Sequence, residues 1–204
     1  MEAIAFAREP LRHLEAGSPL WVFGYGSIVW KWAIPGVTPL ERRDCYVKGF
    51  SRRFHQMSTD HRGTLDFPGR VVTLEPAAQN DIVWGAAYKI DCADIDDALR
   101  NLEYREKQYD KRMVVDCFVQ DADGEKVLCA AVTWIATSSK GNINWGGYAP
   151  LDDIADTIAR ASGPSGENKE YLFNLADAFR AAGVNCAHTF ELEARVKAKM
   201  QCGI

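Results

Sequence analysis

Residues 21–30 read WVFGYGSIVW, and this stretch joins a buried strand to a glycine-containing turn. Its Trp, Val, Phe and Ile side chains are typical of a buried β-strand. Gly24 and Gly26 interrupt the apolar run, and a glycine weakens a strand because it has no side chain to pack. The pattern therefore predicts a strand over residues 20–24 that stops at Gly24, where the backbone turns and can approach another group closely.

Outward from this stretch, the sequence predicts mainly strands in its first two thirds and helices in its last third. The other strand candidates are residues 44–50, 70–75, 81–90, 112–120 and 126–136. The helix candidates are residues 2–15, 94–107, 151–161, 167–182 and 188–200. The turn signal at 121–124 predicts that the last two strands form a hairpin. Because strands and helices do not alternate regularly, we expect an α+β fold.

The length of 204 residues fits one domain of ordinary size. We expect an N-terminal extension over residues 1–19 and a single domain over residues 20–204. No window approaches the run of about 18–20 apolar residues that a membrane helix needs. Glu2, Arg8 and Glu9 interrupt the N-terminal run, which therefore lacks the apolar centre of a signal peptide. We accordingly expect a cytoplasmic protein that has no membrane partner.

The six cysteines, the four histidines and the net charge limit the ligands that the sequence favours. No C-x-x-C pair occurs, which argues against a zinc ribbon or a redox dithiol, so we expect reduced thiols that lie mostly in the core. The histidines lack metal-ligand spacing, and we expect no metal. A net charge of −4 gives no reason to expect nucleic-acid binding.

The segment from Lys48 to Arg70 is locally basic within this acidic protein. It holds five basic residues and two acidic ones, which are Lys48, Arg52, Arg53, Arg62, Arg70, Asp60 and Asp66. A local excess of positive charge is consistent with a small anionic ligand. A solvated loop with scattered charges explains the same residues, and both interpretations stay open.

The predicted helix over residues 94–107 contains a glutamate on its apolar side. Ile95, Leu99 and Leu102 form one stripe when each residue advances by about 100°. On the same count Glu106 falls about 20° from Ile95, within the stripe, whereas Glu103 falls at its margin, about 80° away. The helix that buries these apolar side chains should therefore turn Glu106 inward.

An inward glutamate admits two interpretations, because a lone buried carboxylate is costly. In the structural one, Glu106 pairs with an arginine, caps buried backbone donors, or follows the end of the helix. In the functional one, it lines a cavity as a general base whose pKa is adjusted by partial burial. Glu103, taken alone, favours the structural interpretation.

Several familiar chemistries are disfavoured by the motifs. Gly24 and Gly26 begin a G-x-G-x-x-G pattern, but Val29 breaks it, so a dinucleotide site is not expected. The turn at 163–166 does not continue into G-K-[ST], and Ser27 is not flanked as a hydrolase nucleophile would be. A glycine-flanked strand end, an inward glutamate and a basic segment remain. They suit a reaction that needs one proton acceptor and a bound anion.

Six segments, in chain order, carry a more specific signal. They are FGYGSIVW at 23–30, GFSRRFHQMSTDHRGTLDFPGRVVTL at 49–74, VWGAAY at 83–88, LEYREK at 102–107, YAPLDDIADTIARASGPSGENKEYLFNLADAFR at 148–180 and HTFELEARV at 188–196. Together they resemble the ChaC family of γ-glutamylcyclotransferases from about residue 21 to residue 200. The resemblance implies a γ-glutamylcyclotransferase-like fold, with a small mixed or antiparallel barrel-like sheet and surrounding helices.

The resemblance also implies an activity and a set of site residues. Such enzymes are lyases that cleave reduced glutathione into 5-oxoproline and cysteinylglycine without a cofactor. The glutamate of the family's R-E-K motif, here Glu106, acts as the general base. The family's F-G-Y-G-S loop binds the γ-glutamyl group, and its positions here are Val22, Phe23, Gly24, Tyr25, Gly26 and Ser27.

Further candidates and rivals follow from the same resemblance. We expect that one of the segment's arginines holds a substrate carboxylate and that Tyr109 borders the cavity; these arginines are Arg52, Arg53, Arg62 and Arg70. His55 and Met57 stand where the family has tryptophan and glycine, and REKQYD resembles the shorter, plant-type form of its motif. Other γ-glutamyl peptides or amines are therefore rival substrates, and a non-catalytic binding or regulatory protein is a rival function. We expect a monomer or weak homodimer.

Overall fold

The computed structural model describes residues 17–32 and 34–202. The predicted helix over residues 2–15 and most of the predicted extension lie outside these ranges. In chain order the strands are β1 (Leu20–Gly24), β2 (Glu41–Lys48), β3 (Phe50–Ser58), β4 (Gly69–Pro76), β5 (Ile82–Ile90), β6 (Lys111–Asp121), β7 (Gly124–Ile135), β8 (Ser162–Gly163) and β9 (Gly166–Glu167). The α-helices are α1 (Ile95–Arg105), α2 (Leu151–Arg160), α3 (Asn168–Ala181) and α4 (Ala187–Gln201).

The chain divides into two compact units. The first contains the described residues of Met1–Ser51 and Pro76–Ile135, and the second those of Arg52–Glu75 and Ala136–Ile204. Strands dominate the first unit and α-helices the second, so the α+β prediction is confirmed. The prediction of a single domain stays a prediction.

A closed five-stranded barrel in the order β1-β5-β2-β6-β7 forms the first unit. Neighbouring strands are antiparallel except where β1 meets β7, a parallel pairing recorded between Val22 and Val132 that closes the barrel. Strands β6 and β7 form the predicted hairpin, whose turn pairs Asp121 with Gly124. The expected small, mixed barrel-like sheet is therefore confirmed.

Helix α1 packs its apolar stripe against the barrel. Ala98, Leu99 and Leu102 are buried in one cluster with side chains from β1, β5 and β7, and Ile95 packs against its edge. Two aspartates lie in the first turn and Arg105 in the last, which places each charge favourably in the field of the helix. The helix ends at Arg105, and the Glu106 N–H donates to the carbonyl of Leu102 at 2.8 Å.

The second unit contains the two-stranded sheet β3–β4 and three helices that pack on one another. Buried Ile154, Ile158, Leu172, Leu175 and Leu192 fill the space between the helices. Between α2 and α3, strands β8 and β9 form a two-stranded hairpin, so the turn predicted at residues 163–166 is confirmed.

The interpretation of the basic segment as a loop is wrong for its first half, which forms a strand. Gly49, with φ of 78°, follows the end of β2, and the chain then continues as β3 through nine residues. Every second residue of this strand from Arg52 onward is buried, namely Arg52, Phe54, Gln56 and Ser58, and His55 is buried as well. The hydropathy pattern hid the strand because polar side chains occupy three of those four inward positions.

The cysteines also differ in part from expectation. All six are free thiols, but Cys92 and Cys202 are exposed and Cys129 and Cys186 are half-buried, which leaves only two in the core. Among the described residues, no helix has the length and apolar character that crossing a membrane requires.

Candidate active site

The glycine-containing segment begins where β1 ends. After Gly24 the chain folds back into a single 3₁₀ turn over Ser27–Val29, in which the Val29 N–H donates to the carbonyl of Gly26 at 3.0 Å. A Cβ atom on Gly24 would lie 2.7 Å from the Cβ of Ile28, closer than van der Waals contact allows. Glycine is therefore required here by the chain's return on itself, and the segment is short and tightly packed.

Hydrogen bonds from the barrel hold the carbonyl groups of this segment. The Thr133 hydroxyl on β7 donates to the carbonyl of Phe23 at 2.9 Å. The Tyr88 hydroxyl on β5 donates to the carbonyl of Ile28 at 2.7 Å. Burial raises the pKa of Tyr88, so its phenol is protonated and able to donate at neutral pH. The backbone of the segment is thus fixed from two strands.

The side chains of the predicted binding positions serve mainly as anchors. Val22, Phe23 and Tyr25 are buried, and the Tyr25 hydroxyl donates to the carbonyl of Trp134 at 2.7 Å. Because the Tyr25 hydroxyl is engaged by Trp134 and two further positions are glycines, Ser27 supplies the hydroxyl that a ligand could meet. We expect a ligand to meet backbone amide groups and this hydroxyl rather than the aromatic side chains.

Arg105 connects this segment to the predicted base. Its Nη2 donates to the Ser27 Oγ at 2.5 Å, and its Nε donates to the Glu106 Oε1 at 3.1 Å. The Glu106 side chain is 16% exposed, so it is largely shielded although it lies just beyond the helix. The structure therefore brings Glu106 and Ser27 of the 22–27 segment into hydrogen-bond contact with one guanidinium group.

Two features named by the structural interpretation of Glu106 are present, because the helix ends before it and an arginine pairs with it. Neither feature separates Glu106 from Ser27, since the same arginine contacts both. Tyr109 lies close by: its N–H donates to the carbonyl of Glu106 at 2.9 Å, and its side chain packs against the barrel core.

Glu103 has a different environment. Arg112 donates to both of its carboxylate oxygens, at 2.7 and 2.5 Å, and the Trp134 Nε1 donates to Oε1 at 3.0 Å. Glu103 is 7% exposed. This arrangement joins α1 to β6 and β7 and agrees with the structural interpretation of Glu103.

The first two candidate arginines belong to the second unit and have partners there. Arg52 is buried, with its guanidinium carbon 4.3 Å from the centre of the Phe179 ring and its Nη1 3.7 Å from the Cys186 Sγ. The Arg53 Nη1 donates to the carbonyl of Arg52 at 2.9 Å.

The other two arginines of that unit differ in their partners. Arg62 forms an ion pair with Glu170 at 3.3 Å. Arg70 donates to the carbonyl of Gly147 at 3.1 Å, and burial lowers its pKa. The Asn168 amide holds the backbone of Arg70, accepting from its N–H at 2.6 Å and donating to its carbonyl at 2.8 Å. Arg70 is thus fixed in place by groups that do not neutralise its charge.

Arg105 was not among the residues predicted from the sequence. It lies about 80° from Ile95 on the helical count, at the margin of the apolar stripe opposite to Glu103, so periodicity did not select it. A usable signal was present, because a basic residue in the last turn directly precedes an inward glutamate. Among the described residues, no group of three or more His, Cys, Asp or Glu side chains has an arrangement that could hold a metal ion.

Comparison with known proteins gives consistent matches. The family model described as ChaC-like protein matches residues 20–199. Gamma-glutamylcyclotransferase 2-3 of Arabidopsis thaliana is 47% identical over 180 residues, which cover 87% of this chain and 88% of that protein. Glutathione-specific gamma-glutamylcyclotransferase 1 of Rattus norvegicus is 39% identical over 189 residues, covering 90% and 81%.

A solved structure shares the fold along nearly its whole length. It is a gamma-glutamyl cyclotransferase specific to glutathione from yeast, with a TM-score of 0.76, 28% identity, and coverage of 89% of this chain and 96% of that one. The family match spans both described units and includes the 22–27 segment, Arg105 and Glu106. By sequence, the chain belongs to the ChaC-like protein family.

Proposed function

We propose that this protein is a γ-glutamylcyclotransferase that degrades reduced glutathione to 5-oxoproline and cysteinylglycine. The observation that carries the proposal is the connection of Glu106 to Ser27 through Arg105, which joins a carboxylate to the glycine-containing segment. The names of the relatives support it, since those of rat and yeast are described as specific for glutathione.

The reaction is an intramolecular displacement. The α-amino nitrogen of the γ-glutamyl group attacks the γ-carbonyl carbon, a five-membered lactam closes, and the bond to the cysteinylglycine nitrogen breaks. No second substrate is needed, so the protein's task is to hold the folded conformer and move protons.

Glu106 is the proposed general base. The α-amino group of a model peptide has a pKa of about 8, so it is mostly protonated at neutral pH. It must therefore lose a proton before it can attack. The shielded carboxylate of Glu106 accepts that proton and can return it to the departing nitrogen.

The 22–27 segment is the proposed binding site for the γ-glutamyl group. Its Phe23 and Gly26 carbonyls already accept hydrogen bonds from other groups of the protein. The segment is therefore better suited to donate hydrogen bonds to a ligand than to accept them. Backbone amides and the Ser27 hydroxyl would hold the α-carboxylate of the substrate or the oxygen of its γ-carbonyl, where negative charge develops.

The central experiment measures 5-oxoproline released from reduced glutathione, oxidised glutathione and γ-Glu-Ala. We expect release from reduced glutathione, and a rate about 10²–10⁴-fold lower for Glu106→Gln, which keeps the shape of the side chain and removes the base. Asp97→Asn, an exposed carboxylate-to-amide change on the same helix, is the matched control. A fully active Glu106→Gln variant would refute the mechanism.

The rival functions give different results in the same assay. Release from γ-Glu-Ala alone would identify a cyclotransferase for other γ-glutamyl peptides. A wild-type protein that binds glutathione without releasing 5-oxoproline would be a binding or regulatory protein.

One of the four arginines is proposed to hold a substrate carboxylate, because glutathione carries two. Arg62 is paired with Glu170, whereas Arg70 donates to backbone carbonyls and has no carboxylate partner among the residues that the structure describes. In the same assay we expect Arg70→Ala to raise KM more than Arg62→Ala; an unchanged KM in each of the four alanine variants refutes this part.

The sequence also suggests where and in what form the protein works. A cytoplasmic location, a monomeric or weakly dimeric state, and activity without cofactor or metal remain proposals. Fractionation, sedimentation and assay after chelation test them in turn.

A further inference from the structure

Arg105 has a position that general-base catalysis by Glu106 does not explain. A basic residue in the last turn of a helix is favourable by itself and needs no specific partner. The Arg105 side chain is instead only 21% exposed, and its guanidinium lies between two polar side chains that come from distant parts of the sequence.

We propose that Arg105 is a positioning residue that keeps Glu106 ionised and turns the Ser27 hydroxyl towards the substrate. The inference rests on the proposed function, which assigns a base and a binding segment to these two contacts. It adds an arginine through which the two parts act as one site.

The first role follows from charge and burial. A carboxylate that is only 16% exposed is partly desolvated, and desolvation favours its protonated form, which cannot accept a proton. A guanidinium nitrogen 3.1 Å away favours the ionised form. Arg105 therefore maintains the base in its working state near neutral pH.

Other charged and titratable groups surround the bridge that Arg105 forms between Glu106 and Ser27. Tyr88 on β5 interacts electrostatically with Arg105, Arg42 and Asp44. Lys107 directly follows Glu106, and its Nζ lies 4.9 Å from the centre of the Tyr104 ring. Arg105 contacts Glu106 directly, with 3.1 Å between Nε and Oε1.

The second role follows from the hydrogen-bonding capacity of a serine hydroxyl, which has one proton to donate and two lone pairs. Arginine can only donate, so the Ser27 oxygen accepts the 2.5 Å hydrogen bond from Nη2. The serine proton must then point to another acceptor. A γ-carbonyl oxygen that gains negative charge is such an acceptor, and a donor aligned in advance stabilises it.

Both ends of the bridge are attached to fixed backbone. Arg105 is the last residue of α1, and Ser27 begins the 3₁₀ turn whose Ile28 carbonyl is held by Tyr88. The guanidinium therefore sets the separation of the base and the hydroxyl, which a flexible or smaller cation would not do.

The test compares Arg105→Gln, Arg105→Lys and Arg105→Ala with the wild type and with Arg100→Gln. Arg100 lies on the same helix, is exposed and pairs with Asp97, so it controls for loss of a positive charge. Two readouts are recorded for each variant: the titration of the Glu106 carboxyl by carbon-13 NMR, and the pH profile of kcat/KM for glutathione.

We expect the Glu106 titration and the acidic limb of kcat/KM to move to higher pH by about one unit in Arg105→Gln, because the favourable cation is gone. The value of kcat should fall about 10–100-fold, and added guanidinium should restore part of it in Arg105→Ala. Arg105→Lys should keep most of the pH profile and lose kcat, since one ammonium cannot hold both partners in the same geometry.

The possible failures are distinguishable. If the wild type releases no 5-oxoproline, the proposed function fails, while the NMR titration still reports on Arg105 directly. If the wild type is active and the Glu106 titration is the same in Arg105→Gln, the inference about Arg105 is overturned and the proposed function stands. A shift of equal size in Arg100→Gln also overturns it.

Discussion

Helix α1 contains Glu103, and Glu106 directly follows its last residue. The two glutamates are three residues apart, and each pairs with an arginine. Glu103 is enclosed by donors from β6 and β7, all directed at the carboxylate, and it cross-links the helix to the barrel. Glu106 shares its arginine with Ser27, so the guanidinium leads from the carboxylate to a turn.

The comparison shows that burial alone does not distinguish a structural carboxylate from a candidate base. Glu103 is the more deeply buried of the two, at 7% exposed against 16%, yet its contacts link only structural elements. What separates the residues is the other partner of the arginine. Arg112 directs two donors at the Glu103 carboxylate, whereas Arg105 divides its donors between Glu106 and Ser27 of the glycine-containing segment.

The largest expected difference in stability tests this contrast. Arg112→Ala leaves the Glu103 carboxylate buried without its cation and should lower the free energy of unfolding by about 3–5 kcal/mol. Arg105→Ala breaks a less buried pair and should cost about 1 kcal/mol or less. Urea denaturation measures both values, and equal losses would remove the distinction. The activity of the folded Arg112→Ala fraction should stay within a few-fold of the wild type.

A smaller effect is expected where the chain folds back at Gly24. Gly24→Ala places a methyl group 2.7 Å from the Cβ of Ile28, and such overpacking costs about 1–3 kcal/mol. The displaced segment should also raise KM for glutathione. Gly141→Ala is the matched control, because the nearest atom to its added Cβ is 3.7 Å away. Unaltered stability and KM in Gly24→Ala would show that the segment tolerates rearrangement.

The smallest effect concerns the hydroxyl that holds the turn from β5. Tyr88→Phe removes the donor to the Ile28 carbonyl and should cost about 1 kcal/mol, with a modest rise in KM. Tyr104→Phe removes a hydroxyl from an exposed side chain and serves as the control. Thermal unfolding and initial rates measure the two effects. A larger loss in Tyr104→Phe would contradict the assigned role of Tyr88.

Much of this architecture could be predicted because its periodicities are regular. The apolar stripe of α1 is buried at Ala98, Leu99 and Leu102, and the β6–β7 hairpin follows its turn signal. The end of β1 at Gly24 was also predicted, because glycine interrupts a run of large apolar side chains.

Strand β3 could not be predicted from its hydropathy, because most of its inward positions are polar. Arg52 is buried against Phe179, and Gln56 accepts a hydrogen bond from the Asn142 amide at 3.1 Å. Such positions are compatible with burial only when distant residues supply their partners, and those partners are invisible in a local window. The role of Arg105 was hidden similarly, because its contact to Ser27 spans 78 residues of sequence.

The parallel closure of the barrel has a consequence for synthesis of the chain. Two of the groups that anchor the 22–27 segment come from β7, 110 residues after Phe23 and 109 after Tyr25. At about 5–20 residues per second, a ribosome delivers β7 roughly 5–20 seconds after the segment has been made. Until then β1 lacks its closing neighbour, and pairing across so long a separation is slow. The 22–27 segment is thus translated early but acquires its shape only when the last strand of the barrel arrives.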